Sequence, residues 1–186
     1  MGINMDMKDM LSEKRYNHCL RTKEMAEKLC DRYNIDKKAI DAAFYHDICK
    51  ELSLSDMIEL IGDKYANDID GMYNKSILHG YAGAKFLETK LGILDEEILS
   101  AVRYHTTGKK NMTDIEKVVY ISDAIELGRD YPNVDKIREK VFENLNEGIL
   151  MEIDYKIKML IDKKVAIHKN TIEFRNELIK EVYGEK

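Results

Sequence analysis

Residues 113–126 read Thr113-Asp114-Ile115-Glu116-Lys117-Val118-Val119-Tyr120-Ile121-Ser122-Asp123-Ala124-Ile125-Glu126. Thr113, followed three residues later by Glu116, is a capping box, in which hydroxyl and carboxylate satisfy two of the free amides at a helix start. Ile115, Val119, Asp123 and Glu126 then recur at helical spacing. The stretch is therefore a helix with a defined beginning. It also carries an anomaly. Asp123 lies on the apolar stripe four residues after Val119, where a carboxylate is costly unless it is paired or bound to a cation. Arg129 is one candidate partner and a metal is the other.

The same period runs outward in both directions. A helix over 12–32 carries Tyr16, Cys19, Leu20, Ala26, Leu29 and Cys30 on or near one stripe. Asp36 reads as the next N-cap, ahead of Ile40, Ala43 and Phe44 and an end near His46-Asp47. Ser53 with Asp56 starts a short helix that Gly62 stops, and the polar stretch 63–74 reads mostly as loop. A helix from about Ser76 carries His79, Ala82, Phe86 and Leu87, and Asp95 opens another with Ile98, Val102 and His105. Beyond Glu126, Tyr131-Pro132-Asn133 is a turn. Val134, Ile137, Val141 and Leu145 mark one helix, Ile153, Ile157 and Leu160 another, and Asn170 with Glu173 caps the last. With no repeat, linker or low-complexity tract, the expectation is all-α: a single compact helical bundle spanning 1–186, with a core over about 12–182.

Composition narrows the classes. The chain has 186 residues, one proline and no tryptophan, which fits helices. Its formal net charge is -5, with acids and bases interspersed, so a nucleic-acid polymer is not an expected partner. No apolar run is long enough to span a membrane, and the first nine residues do not read as a signal peptide. The three cysteines, Cys19, Cys30 and Cys49, form no CxxC pair. Packed thiols in a cytoplasmic protein are expected rather than a disulfide framework.

There are five histidines. His18, His46, His79 and His105 fall in helices or at their ends, and Asp47 follows His46 directly. Each taken singly reads as an ordinary hydrogen-bonded core side chain. Together with Asp123 they supply enough nitrogen and oxygen ligands for two cations. Imidazole with carboxylate suits iron, manganese, cobalt or zinc better than calcium or magnesium alone. His168, taken alone, reads as an exposed surface histidine.

The ordered series His18, His46-Asp47, His79, His105 and Asp123 resembles the HD superfamily of phosphohydrolases. The flanking residues resemble its YqeK branch, the symmetrical diadenosine tetraphosphate hydrolases, from Arg15 through Asn176. They are Arg15-Tyr16-Asn17-His18-Cys19-Leu20-Arg21-Thr22, His46-Asp47-Ile48-Cys49-Lys50, Leu78-His79-Gly80-Tyr81-Ala82-Gly83-Ala84, His105-Thr106-Thr107-Gly108 and Ser122-Asp123-Ala124-Ile125-Glu126-Leu127-Gly128-Arg129, with Ile167-His168-Lys169-Asn170-Thr171 and Arg175-Asn176 near the end. Leu127 and Lys169 stand where that pattern has proline.

The resemblance implies that His18, His46, Asp47 and Asp123 hold one metal, and that His79 and His105 hold a second with Asp47 shared. It implies two divalent or mixed-valence transition metal ions, iron first, with manganese, cobalt or zinc as alternatives. Arg15, Asp47, Ile48, Cys49, Lys50, His105, Thr106, Asp123 and Arg129 would contact the nucleoside diphosphate portion, as would Ala166, Ile167, His168, Lys169, Asn170 and Thr171. Asp47, Lys50 and Arg129 would act in catalysis. The implied reaction cleaves a dinucleoside polyphosphate into two ADP through a hydroxide bridging the metals. A nucleotidase acting on mononucleotides and a catalytically silent nucleotide-binding sensor fit the same ligands. The oligomeric state, homodimer included, stays open.

Overall fold

The computed structural model describes residues 7–62, 69 and 74–184. Ten α-helices follow one another among them: α1 (Met7–Met10), α2 (Glu13–Tyr33), α3 (Lys38–Tyr45), α4 (Leu54–Ile61), α5 (Lys75–Phe86), α6 (Glu96–Tyr104), α7 (Asp114–Ile125), α8 (Val134–Glu143), α9 (Leu145–Asp162) and α10 (Lys169–Tyr183). No strand occurs among the described residues. A π-helical turn, Leu87–Leu91, continues α5 and ends at Gly92 in the left-handed conformation. Apolar spacing alone gives no sign of it. Most of the expected loop 63–74 lies outside the described residues.

The helix starts carry the chemistry read from the sequence. Capping boxes open α4 at Ser53–Asp56 and α7 at Thr113–Glu116, and Asp95 caps α6 through the amide of Glu97. Each such cap is worth about 1 kcal/mol. Three starts differ from expectation. Lys37, not Asp36, occupies the N-cap position of α3, although the Asp36 carboxylate still accepts the Lys38 amide at 2.9 Å. The helix expected through Leu145 breaks at Asn144, whose extended backbone ends α8 and whose side chain accepts the Glu147 amide to begin α9. The cap of α10 is His168, which accepts the Asn170 amide through its ring; Asn170 lies inside the helix.

α3, α6 and α7 pack on one another around a shared interior, α5 packs against α6, and α2 lies across α3 and α7. Leu29, Ala42, Leu78, Val102, Val118 and Ile121 are fully buried there. α8, α9 and α10 pack on one another and reach the interior through α7. One position shows how tight the packing is. A Cβ on Gly80 would lie 2.7 Å from the Arg103 carbonyl and 3.0 Å from that of Val102, so α5 and α6 approach backbone to backbone. The neighbours of these residues, His79 and His105, are brought together by that approach.

Candidate metal centre

Five elements bring candidate ligands to one point. His18 comes from α2, His79 from α5 and Asp123 from α7. His46 and His105 occupy the C-cap positions of α3 and α6, and Asp47 follows in the turn after His46. All four histidines and Asp47 are buried. His18 Nε2 lies 3.2 Å from His46 Nε2 and 3.1 Å from Asp123 Oδ1. His79 Nε2 lies 2.9 Å from His105 Nε2. Asp47 stands between these two pairs and divides its oxygens. Oδ2 faces His18 and His46 at 3.6 and 3.5 Å, while Oδ1 faces His79 and His105 at 3.0 and 3.6 Å.

The outer nitrogens decide what the inner ones are. His46 Nδ1 donates to the Ala43 carbonyl at 2.7 Å, His105 Nδ1 to that of Val102 at 2.7 Å, and His79 Nδ1 to that of Lys75 at 3.2 Å. His18 Nδ1 donates to Glu126 Oε1 at 3.1 Å. A proton on each Nδ1 leaves the neutral ring with a lone pair on Nε2. The four Nε2 atoms then converge, beside a buried Asp47 Oδ1 that has no hydrogen-bond partner among the described residues. Where two neutral rings face each other, as at His79 and His105, their lone pairs repel unless a cation or a proton lies between them. Three sets of side chains place ligand atoms within 4.8 Å of one another: His18–His46–Asp47, His46–His105–Asp123 and Asp47–His79–His105. The donor set fits transition metals held from two sides of a shared carboxylate.

Charges in the cluster follow the same logic. Burial pushes the His79 imidazolium down to about 4, outweighing the Asp47 carboxylate beside it. His105 is lowered for the same first reason. At His46 burial acts in that direction too, but Asp47 and Asp123 together hold the imidazole well above its ordinary value. Burial alone would raise both carboxylates. His46 and the other imidazoles keep Asp47 well below the carboxylate range, and Arg129 with His18 and His46 does so for Asp123. The pocket therefore retains two carboxylates in ionised form and attracts positive charge.

Residues 15–128, which contain all six candidate ligands, match the family model described as HD domain. The chain belongs to the HD domain family. Its metal-dependent phosphohydrolase centre takes its name from the dyad that stands here as His46-Asp47. The chain is 40% identical over 176 residues to the Staphylococcus aureus "Bis(5'-nucleosyl)-tetraphosphatase, symmetrical", covering 91% of this chain and 89% of that one. It is 35% identical to the protein of the same description from Halalkalibacterium halodurans, over 94% of each. A solved Clostridium acetobutylicum structure, described as a predicted HD superfamily hydrolase involved in NAD metabolism, superposes with a TM-score of 0.85 at 39% identity, over 94% of each chain.

Around this HD centre stand the expected cationic groups. Arg15 Nη1 donates to Asp47 Oδ2 at 2.7 Å, and Lys50 Nζ lies 3.1 Å from His79 Nε2 and 3.7 Å from Asp47 Oδ1. Thr106 Oγ1 lies 3.1 Å from His105 Nε2. Arg129 binds the Asp123 carboxylate and donates Nε to its carbonyl at 2.8 Å, so the pairing and the metal readings of Asp123 coexist. Ile48 and Cys49 point elsewhere: both side chains are buried in the apolar core. Thr106, Ala166, His168 and Thr171 line one cavity of about 570 Å³, whereas Ile167, Lys169 and Asn170 do not line it. His168 is buried rather than exposed, because its Nδ1 caps α10 while its Nε2 approaches the Ile69 carbonyl at 3.3 Å.

The sequence reading gave no role to Glu126 or Arg21, although both stand in the stretches that resemble the family. Glu126 is buried, and its Oε2 accepts from Arg21 Nε at 2.5 Å while Oε1 accepts from His18. His18 is thus the one metal-facing histidine here whose outer nitrogen meets a carboxylate. Glu126 follows Asp123 by three residues, one helical turn, and that spacing was the available signal.

Proposed function

We propose that this chain hydrolyses diadenosine tetraphosphate symmetrically to two molecules of ADP. The division of the Asp47 oxygens between two histidine pairs carries the reading, since it supports a centre with two cations. The full-length likeness to relatives described as symmetrical tetraphosphatases supports the substrate. Bound there, iron first among the candidates, two cations would activate a shared water as the nucleophile and polarise the phosphoryl oxygens.

The chain's own residues do the rest. His18, His46, His79 and His105 hold neutral Nε2 acceptors in place, and Asp47 and Asp123 supply the compensating charge. Lys50 and Arg129 offset the negative charge that grows on the phosphoryl group as the bond breaks. Arg129 spends Nε and Nη2 on Asp123, which leaves Nη1 to donate to a phosphate. Arg15 and the Thr106 hydroxyl complete the anion contacts, and the cavity floored by His168 and Thr171 seats the nucleoside. A grip on one nucleoside and its first two phosphates presents the second phosphorus at the centre. The water oxygen bonds to that phosphorus, the bond to the central bridging oxygen breaks, and the other ADP leaves. The three reduced, buried cysteines support a cytoplasmic setting.

Incubation of the metal-loaded protein with diadenosine tetraphosphate tests the reading. ADP should be the sole early nucleotide product, and oxygen-18 water should label it only on its terminal phosphate. Early AMP with ATP would overturn the symmetrical assignment. Tight ADP binding without turnover would identify a sensor.

A further inference from the structure

A second cavity, of about 240 Å³, opens beside the metal centre on the Asp123 side. Asp123 and Ala124 of α7, Arg129 and Tyr131 of the following turn, and Glu152, Tyr155, Lys156 and Met159 of α9 line it. The four α9 residues fall at successive steps of three, one and three, so they form one face of that helix. Lys156 and Met159 also line the 570 Å³ cavity that meets the centre at Thr106. The two cavities thus share a wall and flank the candidate metal centre, one from the His79–His105 side and one from the His18–Asp123 side. The nucleoside seat proposed above uses only the first.

The chemistry of the second cavity is specific. Tyr131 and Tyr155 stack with ring centroids 4.9 Å apart and planes inclined by 24°. Both rings are only partly buried. Glu152 is 3% exposed, and its Oε2 has no hydrogen-bond partner among the described residues; neither does Tyr131 Oη. Lys156 Nζ lies 3.4 Å from Glu152 Oε1 and donates to Tyr120 Oη at 2.7 Å. A buried carboxylate oxygen left without a donor costs free energy that an incoming N–H or O–H would recover. An aromatic edge, an acceptor seeking a donor and the Arg129 cation at the mouth make a nucleoside-binding set.

We propose that this cavity is the subsite for the second nucleoside of a dinucleoside polyphosphate, with its base against Tyr155 and its N–H or O–H groups toward Glu152. The proposal rests on the substrate reading above and deepens it. It gives that substrate two unequal seats on either side of the metals. It also gives a reason for discrimination between a dinucleotide and a mononucleotide with equally many phosphates: only the former fills both seats.

The test is a binding comparison that needs no turnover. Two methylene-bridged, non-hydrolysable ligands are titrated into the metal-loaded protein by calorimetry: the diadenosine tetraphosphate analogue and the adenosine tetraphosphate analogue, which lacks only the second nucleoside. The parent should bind the dinucleoside ligand about ten- to a hundredfold more tightly, in keeping with one stacked base. Tyr155→Ala and Tyr155→Leu should bring that ratio close to one, and Tyr155→Phe should keep it, with metal content and melting temperature measured on each. A parent ratio of one, or a parent ratio preserved in both Tyr155→Ala and Tyr155→Leu, would overturn the subsite. A parent that shows the ratio but does not cleave diadenosine tetraphosphate would overturn the proposed hydrolysis and leave the subsite standing.

Discussion

At the scale of single residues, the centre is a problem in lone pairs. Asp47 touches both histidine pairs, so no other ligand can replace its geometry. Asp47→Asn should cost most of the bound transition metal and leave the helical content unchanged, as read by elemental analysis and circular dichroism; full metal retention would refute the assignment. Glu126→Gln is subtler. It keeps the hydrogen bond to His18 Nδ1 but weakens the ion pair with Arg21 and the basicity lent to the ring. Metal affinity should fall about ten- to a hundredfold, measured by chelator competition, while Arg21→Lys should fall less. The cysteines give the opposite contrast. Burial pushes the thiols of Cys19 and Cys30 up to about 11 and that of Cys49 up to about 12. With the thiolate as the reactive form, none should be alkylated in the native protein at pH 8, and all should be after denaturation, as mass spectrometry would record. The candidate ligands were legible because four of the five histidines, with Asp47 and Asp123, follow the order of the family they resemble. Glu126 and Arg21 were not, because a Glu–Arg pair on helix surfaces is common and only the third dimension shows that His18 lies between them.

Among elements, the contact between α5 and α6 sets how closely His79 approaches His105. Gly80 sits there against two carbonyl oxygens, which belong to helix backbone and cannot turn aside. Gly80→Ala should therefore destabilise the protein by about 1–3 kcal/mol and loosen the His79–His105 side of the centre more than the His18–Asp123 side. Thermal melts and the metal stoichiometry of the variant check this; unchanged stability would show that the helices can separate freely. The turn after α7 is held differently. Arg138 of α8 donates to the carbonyls of Ile125, Glu126 and Arg129, each at 2.8 Å, and so fixes the backbone that carries Arg129. That grip explains how the turn keeps its shape with Leu127 in place of proline. The capping boxes at Ser53 and Thr113 were readable in advance. The break at Asn144 was not, since Val141 and Leu145 are four apart and continue one apolar stripe across it. The cap by His168 was hidden because an imidazole nitrogen can replace the usual Asn or Ser oxygen without any change in the spacing around it.

For the molecule as a whole, five helices converge on a cluster of imidazoles and carboxylates that a bound cation would join, so metal binding should stabilise the fold. The sign of the pH dependence follows from two imidazoles that pull in opposite directions. In the metal-free protein His79 is depressed to about 4. Its neutral form contributes stability that is fully present above the unfolded value of about 6.5 and is lost as pH falls toward 4. His46 is raised instead. Its contribution is fully present below that unfolded value and is lost as pH rises through the folded one. A metal requires both rings neutral. His79 is ready for it at neutral pH, whereas His46 must release a proton. Metal binding should then release about one proton at pH 6.5–7, visible as a dependence of the calorimetric heat on the ionisation enthalpy of the buffer. The rise in melting temperature on adding metal should grow with pH over the same range, because the ligand that stabilises the native state by mass action no longer competes with the His46 proton. His46→Ala should abolish the proton release along with most of the metal-dependent stabilisation, while His79→Ala should weaken the stabilisation and keep the proton release. Equal proton release by the parent and His46→Ala would assign the proton to another group and reverse the argument.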